Sequence, residues 1–413
     1  MVLRKLDRRG WSAVLLLCGM LPATAARAQE IPESTPVLDL PADVFAPTEL
    51  PFGGGKLEIG GTARIEYDSN IFAQAYGEDA DTKLILRPYV ALKHSGSTLD
   101  VSVRAEGNFR QYFKHDSESA AGGQVRTALA WAFSLADKLV LLSGWQRGIE
   151  DRGEPEARTL PSLGPRKFDN FDADLSYSHD GPRLGFTLRG TAEIFRYTDP
   201  VDRNRNLKSY AVTARGKYRV SPLINGFVEG FVNKRDFAPT VGESGLDRDS
   251  NTYGARIGAA IDPGGTIRGE LAFGIYHFDP VDARLDARTG PSAQASVIFQ
   301  PLPRTAFTLD AFVGNVATYQ AGARSREDIR VRLGIQQEIR HNLRAQAGLI
   351  YRRSRFFGSG QVQDIYGATA ELEYLINRRL ILAGDIRYTR RNSTDPLDEF
   401  SRFRTAITLK FHY

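Results

Sequence analysis

RFRTAITLKFHY (residues 402–413) alternates without a break. Phe403, Thr405, Ile407, Leu409, Phe411 and Tyr413 fall on one face, and Arg402, Arg404, Ala406, Thr408, Lys410 and His412 on the other. A repeat of two belongs to an extended strand, because successive side chains leave opposite faces of a sheet. One face is apolar and the other charged, so the strand divides a greasy environment from a wet one.

The same alternation recurs upstream. LEIGGTARIEY (57–67), LDVSVRAEGNF (99–109), ARIGAAI (255–261), IRVRLGIQQEI (329–339) and LRAQAGLIY (343–351) all carry it. Short connections such as SGS (95–97), DGP (180–182) and HN (341–342) take turns with long ones around 69–81, 151–167, 319–325 and 391–399. Counted this way, the strands number about eighteen, with sixteen as the alternative, an even number as in outer-membrane barrels. Outward-facing aromatics gather at both strand ends. Tyr67, Tyr210, Tyr253, Tyr351, Tyr366 and Tyr388 mark the long-loop end, and Phe133, Tyr177, Tyr218, Phe299, Tyr374 and Tyr413 the short-turn end. Amphipathic rings prefer the two membrane interfaces. A soluble sandwich also alternates, but nothing in it requires two belts, and an open sheet would leave edge groups unpaired in lipid. The expected fold is therefore all-β, a transmembrane antiparallel up-and-down β-barrel over residues 56–413, with short periplasmic turns and longer extracellular loops.

Ahead of the barrel, Arg4, Lys5, Arg8 and Arg9 precede an apolar run from Trp11 to Leu21, and Ala26-Arg27-Ala28 offers small residues for cleavage. Residues 1–28 read as a signal peptide. The single cysteine, Cys18, lies in it, so no disulfide or thiol chemistry is expected beyond it. Five basic residues (Arg4, Lys5, Arg8, Arg9, Arg27) and one acidic (Asp7) lie there too, so most of the +5 net charge belongs to the leader. No nucleic-acid partner is implied by the remainder. Residues 29–55 are acidic and carry Pro32, Pro36, Pro41, Pro47 and Pro51, which predicts a disordered periplasmic spacer, with a plug or a docking strand for a partner as the alternative.

The polar face supplies the candidate lumen lining. Alternation places Arg64, Arg104, Arg189, Arg215, Arg256, Arg330, Arg332, Arg344, Arg387, Arg402 and Arg404 there, with Glu106, Asp174, Glu193, Glu270, Glu371 and Asp385. Such groups either pair across strands and stiffen the wall, or set up a field that orients polar solutes. The longest outer loop, EDRGEPEARTLPSLGPRK (150–167), is a candidate constriction that could carry Glu150, Asp151, Glu154 and Glu156 inward against a basic wall. Asp199-Pro200-Val201-Asp202, Asp279-Pro280-Val281-Asp282 and Asp395-Pro396-Leu397-Asp398 read as turn chemistry, with divalent-cation binding as the alternative. The six histidines are scattered, no nucleophile, base and acid converge in sequence, and no zinc, nucleotide or phosphate-loop spacing is present. No cofactor, metal or catalytic residue is expected.

Several stretches resemble the second family of outer-membrane β-barrel porins, often encoded near exopolysaccharide genes. YDSNIF (67–72) is similar to its opening motif, and DRDSNTYGARIGAAI (247–261) and SREDIRVRLGIQQEIRHNL (325–343) to its loop-to-strand unit, though Ile329 replaces the aromatic. The resemblance implies passive diffusion of small polar or charged solutes. The alternatives are an accessory role in exopolysaccharide or capsule secretion, with periplasmic polysaccharide-export proteins as partners, or a structural barrel with a filled lumen. Phe411 and Tyr413 resemble the terminal aromatic signal read by the barrel-assembly machinery. Outer-membrane lipids and lipopolysaccharide are the expected surroundings, and nothing indicates an oligomeric state.

Overall fold

The computed structural model describes residues 49–158, 162–238, 247–261, 265–320 and 322–413. Residues 1–28 and most of the acidic segment therefore lie outside the described residues. A short strand, β1 (Leu50–Phe52), precedes the wall. The wall begins with β2 (Gly55–Asp68), β3 (Asp81–Ser95), β4 (Leu99–Tyr112), β5 (Ala120–Ala132), β6 (Asp137–Ile149) and β7 (Lys167–Asp180). It continues through β8 (Leu184–Tyr197), β9 (Leu207–Arg219), β10 (Ile224–Phe237), β11 (Ser250–Ile261), β12 (Ile267–Pro280) and β13 (Arg288–Leu302). It ends with β14 (Thr305–Val316), β15 (Ser325–Arg340), β16 (Leu343–Phe357), β17 (Val362–Leu375), β18 (Leu380–Ser393) and β19 (Phe400–His412).

Each wall strand pairs antiparallel with the next, and β19 returns to β2 with Arg404 opposite Asp68 and His412 opposite Gly60. The sheet closes as an eighteen-stranded barrel, not a sixteen-stranded one. RFRTAITLKFHY lies along this seam, where Tyr413 and Ile59 exchange backbone bonds of 2.7 and 3.1 Å. Closure leaves no edge, which is what lets a sheet sit in hydrocarbon.

The sheet is apolar on the outside. Ile407, Ile275, Val228 and Leu349 are each more than half exposed, and they lie between the aromatic belts. Tyr351 and Tyr366 pack with tilted rings 5.3 Å apart at the long-loop end, and Phe133 and Tyr177 stack 6.1 Å apart at the short-turn end. Among the described residues, the clusters of buried apolar side chains lie at the long-loop mouth. There Phe168, Phe195, Tyr197, Leu207 and Ala317 form one cluster and Ile71, Phe72 and Tyr112 another.

Two expectations change in detail. Leu50–Phe52, assigned by composition to a disordered segment, pairs with the start of β2, Leu50 opposite Leu57. Gly53 and Gly54, both at positive φ, supply the tight turn between them. The wall also rises further above the long-loop belt than charge patterning indicated. SRED (325–328), read as loop, is the first part of β15, and β18 runs on to Ser393. Polar sequence beyond the belt can remain strand because neighbouring strands supply the backbone bonds there. Two of the three Asp-Pro repeats act as the expected turn initiators: Asp199 and Asp395 accept from the Val201 and Leu397 amides at 3.1 and 3.0 Å, opening short 3-10 turns, whereas Asp279 and Pro280 end β12.

Candidate functional site

The segment between β6 and β7 turns inward at the long-loop mouth. Its first rung is the Glu150 amide on the Arg166 carbonyl at 2.8 Å. The Asp151 carboxylate then accepts the Gly153 amide at 2.7 Å, and the Glu154 amide reaches the Asp151 carbonyl at 3.1 Å. Aspartate favours this kind of local turn because its side chain reaches the backbone two residues on. Glu156 follows with φ of 65°, an uncommon left-handed conformation for a residue with a Cβ. Three contacts hold it there: the Tyr319 amide at 2.5 Å, the Thr318 hydroxyl at 3.0 Å and Arg326 at 2.6 Å.

The neck is fixed by arginines of the segment itself. Arg152 pairs with Glu118 at 2.5 Å and donates to the Arg158 and Leu163 carbonyls. Arg158 and Arg166 converge on Asp202 at 2.6 and 2.8 Å, and Arg166 also reaches Glu150 at 3.1 Å. Asp202 is the second carboxylate of the first Asp-Pro repeat, so that repeat clamps this loop. Among the described residues no three histidine, cysteine or carboxylate side chains converge as a metal set.

Beyond the neck, the tip reaches the far wall. Asp151 meets Arg402 and Arg404 of β19 at 2.8 and 3.3 Å. Glu154 meets Arg352 of β16 at 2.8 Å, and Arg391 of β18 donates to the Gly153 carbonyl at 2.5 Å. With Glu156 on Arg326 of β15, the tip touches four strands. Behind these contacts lies a second row of carboxylates. Asp68 takes Arg402 at 2.6 Å and Lys83 at 3.4 Å, while Asp328 takes Arg326, Arg330 and Arg352 at 3.1, 2.7 and 2.9 Å.

Burial acts to raise Glu150, Asp151 and Glu154, and the neighbours decide the outcome. For Asp151, Arg402 and Arg404 outweigh burial and hold the acid well below the usual carboxylate range. For Glu154, burial prevails over Arg352, helped by the nearby negative Asp151, and the acid is pushed up. Glu150 is pushed up by burial too, although Arg166 and the Arg158 amide pull the other way.

Below the loop, the sequence-derived lining residues all project inward. Arg64 bridges Glu66 at 2.7 Å and Asp385 at 2.5 Å, and Arg215 bridges Glu229 and Glu270, both at 2.7 Å. Arg256 joins Glu229 at 2.8 Å, Arg104 joins Glu106 at 3.1 Å, and Arg189 binds Asp174. Arg344 stands opposite Glu338 and Glu373 in register, Arg332 opposite Asp310, Glu193 opposite Asp172, and Arg387 opposite Arg404. Glu371 approaches Lys410 at 3.5 Å. The lower wall is thus a lattice of short-range pairs, whereas the upper arginines reach across to the loop.

Alternation alone missed Arg326, Arg352 and Arg391. Each lies on the inward parity of its strand, Arg391 in a stretch taken for loop and Arg326 and Arg352 just beyond the alternating stretches 329–339 and 343–351. Continuing the parity one step beyond Tyr351, or two beyond Thr389, would have placed Arg352 and Arg391 inside.

The model of the family described as "Putative beta-barrel porin 2" matches residues 59–413. The chain belongs to this family. The beta-barrel porin 2 match spans the seam, every wall strand from β3 to β19 and the inward loop. No curated protein matches the chain significantly. Among solved structures, the chain is similar to OpdK of Pseudomonas aeruginosa with vanillate, at 13% identity and a TM-score of 0.46, covering 86% of this chain and 99% of that one. It is also similar to the siderophore receptor PirA of Acinetobacter baumannii, at 9% identity and a TM-score of 0.45, covering 86% and 80%. The FrpB iron transporter of Neisseria meningitidis, F3-3 variant, gives 10% identity and a TM-score of 0.42, covering 86% and 81%.

Proposed function

We propose that this porin-family barrel sits in the bacterial outer membrane, long loops outward, and admits small polar or charged solutes by passive diffusion. The observation that carries this reading is an eighteen-stranded wall, charged within, whose inward loop crosses the mouth. Barrels of this strand number are wide enough for an aqueous channel rather than a packed interior. The loop narrows that channel and sets its charge. Lipopolysaccharide and outer-membrane lipids contact the apolar band, and the assembly machinery reads Phe411 of β19 and the following Tyr413, both exposed.

Single-channel recording of refolded full-length protein tests the reading. Deleting residues 152–165 should raise conductance; an unchanged value would remove the constriction role. A second reading, a closed structural barrel, is favoured by the burial of Glu150, Arg152 and Glu154 at the mouth. It predicts no current from the wild-type chain or from the deletion variant.

A further inference from the structure

The wall behind the loop holds like charges in register. Arg330 stands opposite Arg352, and Arg387 opposite Arg404. Such rungs weaken a sheet unless anions compensate them. Asp68 and Asp328 supply part of the compensation. Arg391 makes no direct contact with a carboxylate: it is buried at 3% exposure, donates to the Gly153 carbonyl, packs on the Phe400 ring at 4.7 Å, and its Nε has no hydrogen-bond partner. Burying a guanidinium so costs stability.

The missing negative charge comes from one short peptide. Asp151, Glu154 and Glu156 place three carboxylates on Arg402 and Arg404, on Arg352 and on Arg326, across three strands. A guanidinium fork accepts any carboxylate of the right approach, whether from the loop or from a solute. We propose that Arg326, Arg352, Arg391, Arg402 and Arg404 form the recognition site for a linear oligomer bearing regularly spaced carboxylates, of the uronic acid type. The loop tip occupies that site as an internal stand-in, and the solute displaces it. A single carboxylate replaces one of the loop's pairs and leaves the others holding the tip. A chain of them replaces several at once, which makes the exchange multivalent.

This rests on the channel reading for transport, but binding is measurable without current. Detergent-solubilised full-length protein is titrated calorimetrically with tetra-galacturonate, galacturonate, maltotetraose and tripolyphosphate, and heat-modifiable mobility verifies that each variant is folded. The tetramer should bind, maltotetraose should not, and the monomer should be weaker by at least about tenfold because it gains no multivalency. Neutralising the stand-in with D151N, E154Q and E156Q together should tighten tetramer binding by about tenfold, since the competent state no longer competes with the loop. R391Q should weaken it by a similar factor. If the triple variant does not fold, R391Q decides, and an affinity equal to that of the wild type overturns the proposal. Equal affinity for tripolyphosphate also overturns it, showing attraction to charge alone. Current through the barrel with no tetramer binding overturns the inference and leaves the porin reading standing. Binding without current does the reverse.

Discussion

Asp328 shows at single-residue scale what the mouth depends on. It is fully buried and shared by Arg326, Arg330 and Arg352, with Ser354 donating at 2.9 Å. Removing one partner of a buried charge cluster leaves the others uncompensated, at a cost of about 3 kcal/mol or more. D328N should therefore lower the urea midpoint of the barrel refolded in lipid vesicles, and an unshifted midpoint would show that water reaches these arginines. The loop acids set the pH response. Asp151 has a lowered pKa in the fold, so its contribution is present above the ordinary carboxylate range and is lost only as pH falls through the depressed value. Glu150 and Glu154 are raised, so they favour the fold at acid pH and lose that contribution as pH rises through their raised values. Acidifying from about pH 7 to about pH 5 should accordingly leave the loop seated, with opening deferred to below about pH 4. A conductance rise already at the milder acidity would contradict this assignment.

Elements were legible to different depths. Strand identity and facing came from alternation, because a half-solvated sheet must show a period of two. Strand length at the long-loop end did not, since sequence such as SRED carries no apolar face once the wall leaves the membrane. The loop's inward fold was foreseeable only as an option, as its partners lie up to 253 residues away. Local packing inside β10 to β12 shows another such limit. Phe227 and Phe231 lie across Gly258 and Gly254 on the neighbouring strand, where an added Cβ would come within 2.4 and 2.6 Å of the rings and equally close to backbone carbonyls. Gly258→Ala should overpack this wall and cost about 1–3 kcal/mol. The same vesicle unfolding measurement checks it, and wild-type stability would mean the ring moves aside freely.

For the whole molecule, the decisive contact is the seam between β19 and β2. Arg379 lies over the Tyr413 ring at 4.6 Å, and Phe411 stands opposite Gly61. Replacing Phe411 and Tyr413 with Ser should impair insertion, read as loss of heat-modifiable mobility; normal mobility would dismiss their signalling role. The sequence by itself determined the all-β barrel, its even strand count near eighteen and the two aromatic belts. These follow from period two and from membrane solvation, both of which act on each strand alone. Only the tertiary structure decided that Asp151, Glu154 and Glu156 meet Arg402, Arg404, Arg352 and Arg326, because closing the sheet brings opposite walls within reach of one loop. Ion pairs across a barrel leave no periodic trace in the chain, since their partners are set by curvature and closure rather than by spacing.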